Sequence, residues 1–386
     1  MSHFAVMVIG PNVEQQLAPY HEFECTGTVD QYVQTIDKLG ELKDDYETQT
    51  RRRMRGPAGE LVGAYDDIFY REPTPEEKEE IGPIAGTGSR KGFSYTSKDW
   101  GDGLGYRAKV HFVPEGWQEV DIPVKDFMTL VEFIKYQTHD DFPILKEWED
   151  TDLHDRDGCK WGWARVNAAG EVIEYTQRTN PNAQWDWWQL GGRYSGWLKL
   201  KPGAGVIAEK GRKGLMGSCM NDGPGWVDSV VKSAIDFDGM REKDGNEAAS
   251  RWDKAAAAKV AAGFAADATW DSWDTVCERH PGAIDVARDE YHAQPIMKAV
   301  KDALDNPFRG VDDLLVSREQ FIQQARDRAM VTYAVVQDGK WFAKGEMGWW
   351  GMSSDDMPEE EWNRKVNELI DGLPDDTLIS IVDCHI

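Results

Sequence analysis

Phe4-Ala5-Val6-Met7-Val8-Ile9 is continuously apolar and rich in β-branched side chains. A run of this kind, without polar alternation, reads as a strand covered on both faces. Leu378-Ile379-Ser380-Ile381-Val382 reads the same way. Two strands that each need cover on both sides are most simply served by one core, so both are expected in one sheet. Polar residues follow the first run at once (Pro11, Asn12, Glu14) and no basic segment precedes it, which argues against a secretory signal. No stretch approaches the apolar span of about 18 residues that a membrane helix needs, so no membrane association is expected.

Moving inward from the C-terminal strand, residues 331–337 read as a strand, Asp338-Gly339 as a hairpin turn and 340–347 as the return strand. Pro358 opens an acidic helix with Trp362, Val366 and Leu369 inward, stopped by Gly372 and Pro374. On the N-terminal side, the spacing of Tyr32, Val33, Ile36, Leu39, Leu42 and Tyr46 predicts a helix over 30–55. Thr28 and Gln31 supply its capping box and Gly56-Pro57 its end. Residues 56–105, rich in Gly, Pro and charge, read as long loops. A strand over 106–113 and a helix over 124–137, with Phe127, Leu130, Val131 and Ile134 inward, follow.

Residues 158–200 alternate aromatic and polar side chains between glycine turns, the pattern of antiparallel strands. Residues 228–330 differ, with an alanine-rich helical stretch at 247–266 and helical segments at 283–304 and 317–329. The expected fold is α+β: a mostly antiparallel sheet including both terminal strands, flanked by helices, with a helix-rich subdomain. Residues 1–227 form the first part of the sheet domain and 228–330 the helix-rich subdomain or insertion. Residues 331–386 complete the sheet with a hairpin, a helix and the last strand.

The net charge is −25, from 44 basic and 69 acidic side chains. A broad negative field repels nucleic acid and anionic lipid, so direct non-specific nucleic-acid binding is not expected. The same field would attract a basic partner or imitate DNA, and solubility alone also explains it. Five scattered cysteines without a CxxC pair indicate neither a zinc ribbon nor a redox motif, and point to a reducing, cytoplasmic setting. Gly86-Thr87-Gly88-Ser89-Arg90-Lys91-Gly92 matches neither the Walker nor the Rossmann pattern, and no cofactor is expected.

Asn180-Pro181-Asn182-Ala183-Gln184-Trp185-Asp186-Trp187-Trp188-Gln189-Leu190-Gly191-Gly192-Arg193 is the most unusual segment of a chain holding 17 tryptophans. As a strand it would send Trp185 and Trp187 one way, and Asp186 and Trp188 the other. Gly191 and Gly192 permit close backbone approach or positive φ, and Arg193 would then hold a phosphate or carboxylate. In functional terms this is an aromatic platform beside an anion clamp. In structural terms it is a core hairpin in which Asp186 pairs with Arg193.

The Met-Ser-His-Phe opening, this Trp-Asp-Trp-Trp…Gly-Gly-Arg segment and the closing Val-Asp-Cys-His-Ile together resemble a set of tailed-bacteriophage proteins of unassigned function. The resemblance spans both ends and the centre but gives nothing for 228–330. It implies a phage product acting in the host bacterial cytoplasm, in host takeover or against host defence, and carries over no catalytic residue.

Other clusters offer weaker chemistry. His139, Asp140, His154 and Asp155 would serve as the ligands of a divalent metal, although the segments read as solvated loops and no metal is the expectation. Ile235-Asp236-Phe237-Asp238-Gly239 resembles the nucleophile motif of haloacid-dehalogenase-type phosphatases, but Lys232-Ser233 breaks the strand such a motif needs. Arg51-Arg52-Arg53-Met54-Arg55 would complement a helix C-terminus. Cys384 and His385, adjacent in a strand, point to opposite faces and make a poor dyad. The leading expectation is an accessory protein that binds a host protein or a small anionic ligand at Trp185, Asp186, Trp187, Gly191, Gly192 and Arg193. A metal-dependent hydrolase of a phosphoester or nucleotide, and an acidic DNA mimic, are the alternatives.

Overall fold

The computed structural model describes residues 3–22, 31–81, 88–90, 93–99, 106–138, 142–149, 157–304, 310–347 and 353–386. The chain divides into two compact units, 1–23 with 180–386, and 24–179. These boundaries differ from the division at 227 and 330 read from composition. The helix-rich stretch lies within the first unit, and the second unit is an insertion near its N-terminus.

The first unit is built on a mixed, mostly antiparallel sheet in the order Arg212–Lys213, Trp187–Gly192, Leu378–His385, His3–Ile9, Ala334–Gln337, Lys340–Ala343. The two terminal segments are antiparallel neighbours throughout, from His3 opposite His385 to Ile9 opposite Ile379. On its other edge the last strand pairs with Trp187–Gly192 over one half and with Ser229–Val231 over the other. Its full cover explains its apolar character. Met7, Ile9, Ile379 and Ile381 enter one core with Trp362, Val366 and Ile370 of the Glu359–Gly372 helix. Phe4, Val6, Val8, Val382 and Cys384 enter a second core with Leu17, Trp185 and Val336. Each fully buried aliphatic side chain of this pair contributes roughly 1.5–3 kcal/mol.

Asp338 (φ 51°) and Gly339 (φ 69°) form the tight turn expected between Ala334–Gln337 and Lys340–Ala343. The return strand is shorter than its hydrophobic pattern predicts. After Ala343 the chain leaves the sheet, and Gly345–Met347 pairs instead with Ser353–Asp355. The helix-rich part is a 25-residue helix, Phe237–Ala261, packed with Arg318–Arg328 and Pro295–Leu304 around Trp270, Val276, Met297 and Val300. The single helix expected over 283–304 is two, Ile284–Ala293 and Pro295–Leu304, because Pro295 cannot donate to the preceding turn. Asp312 ties this core together, accepting from Trp270 Nε1, Tyr291 Oη and Trp273 N, each at 2.7 Å.

In the second unit Gln34–Asp37, Val172–Thr179, Gly162–Val166 and Ile144–Lys146 form one sheet. It shares a core (Leu42, Val124, Phe133, Ile134, Ala164, Val172) with the helices Leu39–Thr48 and Leu130–Gln137. The long helix expected over 30–55 is therefore strand, helix and strand. The helical spacing belongs to Leu39–Thr48 alone, while Thr50–Arg55 alternates and pairs with Gln118–Pro123. Its arginines serve no helix end: Arg53 lies over the Phe127 ring at 4.2 Å and Arg52 pairs with Glu119 at 3.3 Å. Thr28 of the expected capping box lies outside the described residues. The helix read over 124–137 begins at Leu130, behind a capping box of Thr129 and Glu132. Residues 56–105 hold more regular structure than their composition suggests, including the helix Pro75–Ile81 and the strand Phe93–Asp99, which pairs with Tyr106–His111.

Candidate functional site

Side chains alternate along Leu378–His385, so 379, 381, 383 and 385 share a face. Ile379 and Ile381 lie in the apolar core on that face, and Asp383 and His385 continue it beyond the point where the core ends. Strand pairing sets His385 between Trp187 on one neighbour and His3 on the other, making a row of three across the sheet. The next row on the same face is Gln189, Asp383 and Ala5.

Two carboxylates meet this row. His3 Nδ1 is 2.9 Å from Oδ1 of the fully buried Asp383. His385 Nδ1 is 2.7 and 2.8 Å from the two oxygens of Asp186, which also accepts Trp187 N at 2.7 Å. The two imidazoles meet edge to face with centroids 4.9 Å apart. Trp187 stacks on His385 at 5.2 Å and stands edge-on to His3 at 5.3 Å. A carboxylate on Nδ1 fixes the orientation of a ring and favours the tautomer whose Nε2 carries the lone pair. Neither Nε2 has a hydrogen-bond partner among the described residues. The His3 and His385 side chains are 12% and 7% exposed, against 39% for Trp187. The two imidazoles are largely covered, and Trp187 is the accessible member of the row.

The glycine turn that follows is held from beneath. Asp383 Oδ2 accepts Arg193 N at 2.8 Å. Gly192 (φ +57°) lies so close that a Cβ there would stand 2.2 Å from the same oxygen. A second fully buried carboxylate, Asp228, accepts from Gly196 N (2.6 Å), Gly211 N (2.8 Å) and Ser195 Oγ (3.0 Å). A Cβ on Gly191 (φ +76°) would stand 2.7 Å from it. Buried charge is tolerated when it is fully hydrogen-bonded, and the paired glycines let the backbone reach both carboxylates. Arg193 is exposed, and its guanidinium has no partner among the described residues. Tyr194 Oη donates to His3 O at 2.9 Å. Burial and then Asp383 push its phenol up to about 12, with Arg193 acting the other way.

The residues singled out in the sequence therefore separate. Trp185 precedes the strand, is buried in the second core and donates Nε1 to Leu17 O at 3.2 Å, so it shares no face with Trp187. Asp186 pairs with His385, not with Arg193. Gly191 and Gly192 are buried and support the turn. Trp187 and Asp186 belong to the row, and Arg193 follows on the adjoining turn. Cys384 and His385 do point to opposite faces: the thiol is buried, with its pKa pushed well up by burial, while the imidazole joins the row. Sequence reasoning missed His3, Asp383 and Asp228, and weighed His385 only as a neighbour of Cys384. The available signal was Asp383 and His385 at i, i+2 in a strand otherwise covered on both faces, since buried polar groups need partners.

His139, Asp140, His154 and Asp155 lie outside the described residues, as does much of 86–92. Among the described residues no group of three or more His, Cys, Asp or Glu side chains is gathered for a metal. No helix among them is long and apolar enough to cross a membrane. Asp236 caps the Phe237–Ala261 helix through Gly239 N (3.0 Å) and pairs with Lys199 (3.1 Å); the Gly239 contact holds its carboxyl below the usual range. That capping role accounts for the phosphatase-like motif. The acids of Glu359–Gly372 are partly paired within the molecule, Glu361 with Lys365 and Glu368 with Arg364 at 2.9 Å and Glu359 with Arg328 at 3.4 Å. A groove of about 600 Å³ beside that helix shares no residue with the histidine row. Its charges pair among themselves, Lys243 with Glu247 and Arg251 with Asp313. No family model, curated protein or solved structure matches this chain.

Proposed function

We propose that the first unit binds a small anionic ligand at the row His3, His385, Trp187, with Arg193 at its margin. The observation that carries this reading is the pair of oriented imidazoles, each anchored at Nδ1 and unpartnered at Nε2, beside the exposed face of Trp187. In that tautomer each Nε2 accepts, so the pair suits hydroxyl or amino groups of a ligand whose planar part lies on Trp187. The free guanidinium of Arg193 adds a fork that matches phosphate or carboxylate.

Taken with the resemblance to tailed-phage proteins, the reading becomes one of an accessory protein that sequesters or senses such a ligand inside an infected cell. A host-protein partner and DNA mimicry have less behind them, because the charges of the groove and part of those of the acidic helix are paired within the molecule. Titrating the full chain with a nucleoside monophosphate and following tryptophan fluorescence tests the proposal. Saturable quenching is expected, lost in Trp187→Ala and weakened about tenfold or more in Arg193→Lys, whose melting temperature stays unchanged. Absence of quenching, with equilibrium dialysis also negative, would remove the site.

A further inference from the structure

We infer that this row also breaks a ribonucleotide phosphodiester, with His3 and His385 as the acid–base pair. The inference rests on the anion-binding reading and adds turnover to it. Binding an anion needs donors, and an exposed lysine or arginine supplies them. Two imidazoles, each oriented by its own carboxylate and meeting edge to face at 4.9 Å, are instead the equipment for moving two protons at neighbouring atoms.

Among the described residues this face carries no nucleophile. Its neighbours in the row and the next are Trp187, Gln189, Asp383 and Ala5. Cys384 is buried on the other side, and the Tyr194 hydroxyl is engaged with His3 O. The attacking oxygen must therefore come from outside, and a ribonucleotide carries one next to its own phosphorus. One imidazole Nε2 removes the proton of the 2′-hydroxyl as the O2′–P bond forms. The P–O5′ bond breaks with its electron pair, and the other ring, starting as imidazolium, gives its Nε2 proton to O5′. The products are a 2′,3′-cyclic phosphate and a free 5′-hydroxyl, and no co-reactant is consumed. The rings end with their protonation exchanged and solvent resets them. Attack and departure occur on opposite sides of one phosphorus, and two adjacent, oriented imidazoles supply the base and the acid that these two oxygens need. Trp187 provides a stacking face for a base, and Arg193, on the adjoining turn, a cation for the phosphoryl oxygens.

The test gives the full chain, in excess chelator, the ribodinucleotide UpA and its 2′-deoxy counterpart. Binding is read by tryptophan quenching and products by phosphorus NMR. Both should bind, and only UpA should yield cyclic phosphate. His3→Gln and His385→Gln should each slow cleavage about 100-fold or more, beyond whatever affinity for the deoxy-dinucleotide the same variants lose. If either variant fails to fold, the comparison of the two dinucleotides on the unaltered chain still decides. Binding of both compounds without cleavage of UpA overturns the inference and leaves the binding reading intact. Cleavage at an unchanged rate in both folded variants also overturns it. Binding of neither compound removes both.

Discussion

His3 and Asp383 stand 380 positions apart in the chain, yet His3 Nδ1 lies 2.9 Å from Asp383 Oδ1. The contact exists because the first and last strands are antiparallel neighbours, with His3 opposite His385 and Ala5 opposite Asp383. Asp383 is fully buried, and its other oxygen is taken by the backbone N–H of Arg193. One carboxylate thus orients an imidazole and fixes the glycine turn.

Gly192 is the residue that admits that carboxylate. Gly192→Ala would put a Cβ 2.2 Å from Asp383 Oδ2 at φ +57°. Strain and displacement together should cost about 2–4 kcal/mol and release His3, so ligand binding should fall along with the denaturation midpoint. An alanine variant with unchanged midpoint and affinity would contradict the role given to Asp383.

Asp228 should be the costlier loss. Asp228→Ala removes the acceptor of Gly196 N, Gly211 N and Ser195 Oγ. A destabilisation of roughly 3–5 kcal/mol is expected, measured by urea unfolding. A value below about 1 kcal/mol would show that the turn does not depend on it.

Removing residues 378–386 takes away the strand that pairs with His3–Ile9, Trp187–Gly192 and Ser229–Val231. Ile379, Ile381 and Val382, all fully buried, go with it. Their burial alone is comparable with the roughly 5–15 kcal/mol net stability of an ordinary protein. The shortened chain should be insoluble or lack a cooperative melting transition, and a sharp calorimetric transition assigned to the first unit would refute the placement.

Alkaline pH should weaken the first unit in a defined window. Tyr194 is raised to about 12, so between its ordinary value near 10 and that point the folded form keeps a proton the unfolded chain releases. The unfolded state then binds fewer protons and stability falls as pH rises. Tyr291, raised by burial and then by Asp312, and the buried Cys384 act with the same sign. Tyr194 should contribute on the order of 2 kcal/mol across the window. Tyr194→Phe should flatten the decline, and equal slopes in both proteins would deny Tyr194 its share.

Local patterns carried the fold a long way. Apolar runs at both ends, the Asp338-Gly339 turn and the Trp362, Val366 periodicity of the acidic helix are all present where the sequence puts them. Reading went astray where one period hid another. The helical spacing around Leu42 and Tyr46 masked the alternation of Thr50–Arg55. The continuous pattern over 340–347 masked a change of strand partner.

The sequence by itself determined that Phe4–Ile9 and the last strand must be buried on both faces, because burial leaves a periodic trace in neighbouring residues. It also determined that Gly191 and Gly192 allow a left-handed turn, a property of a residue without a side chain. Only the tertiary structure decided what that turn serves, and which carboxylate answers which base. Asp186 meets His385 across 199 positions, and Arg193, the partner charge pattern suggests, is left at the surface. Local sequence carries little trace of such pairings: a charge must be satisfied where it is buried, and strand register, set by the whole sheet, chooses the group that satisfies it.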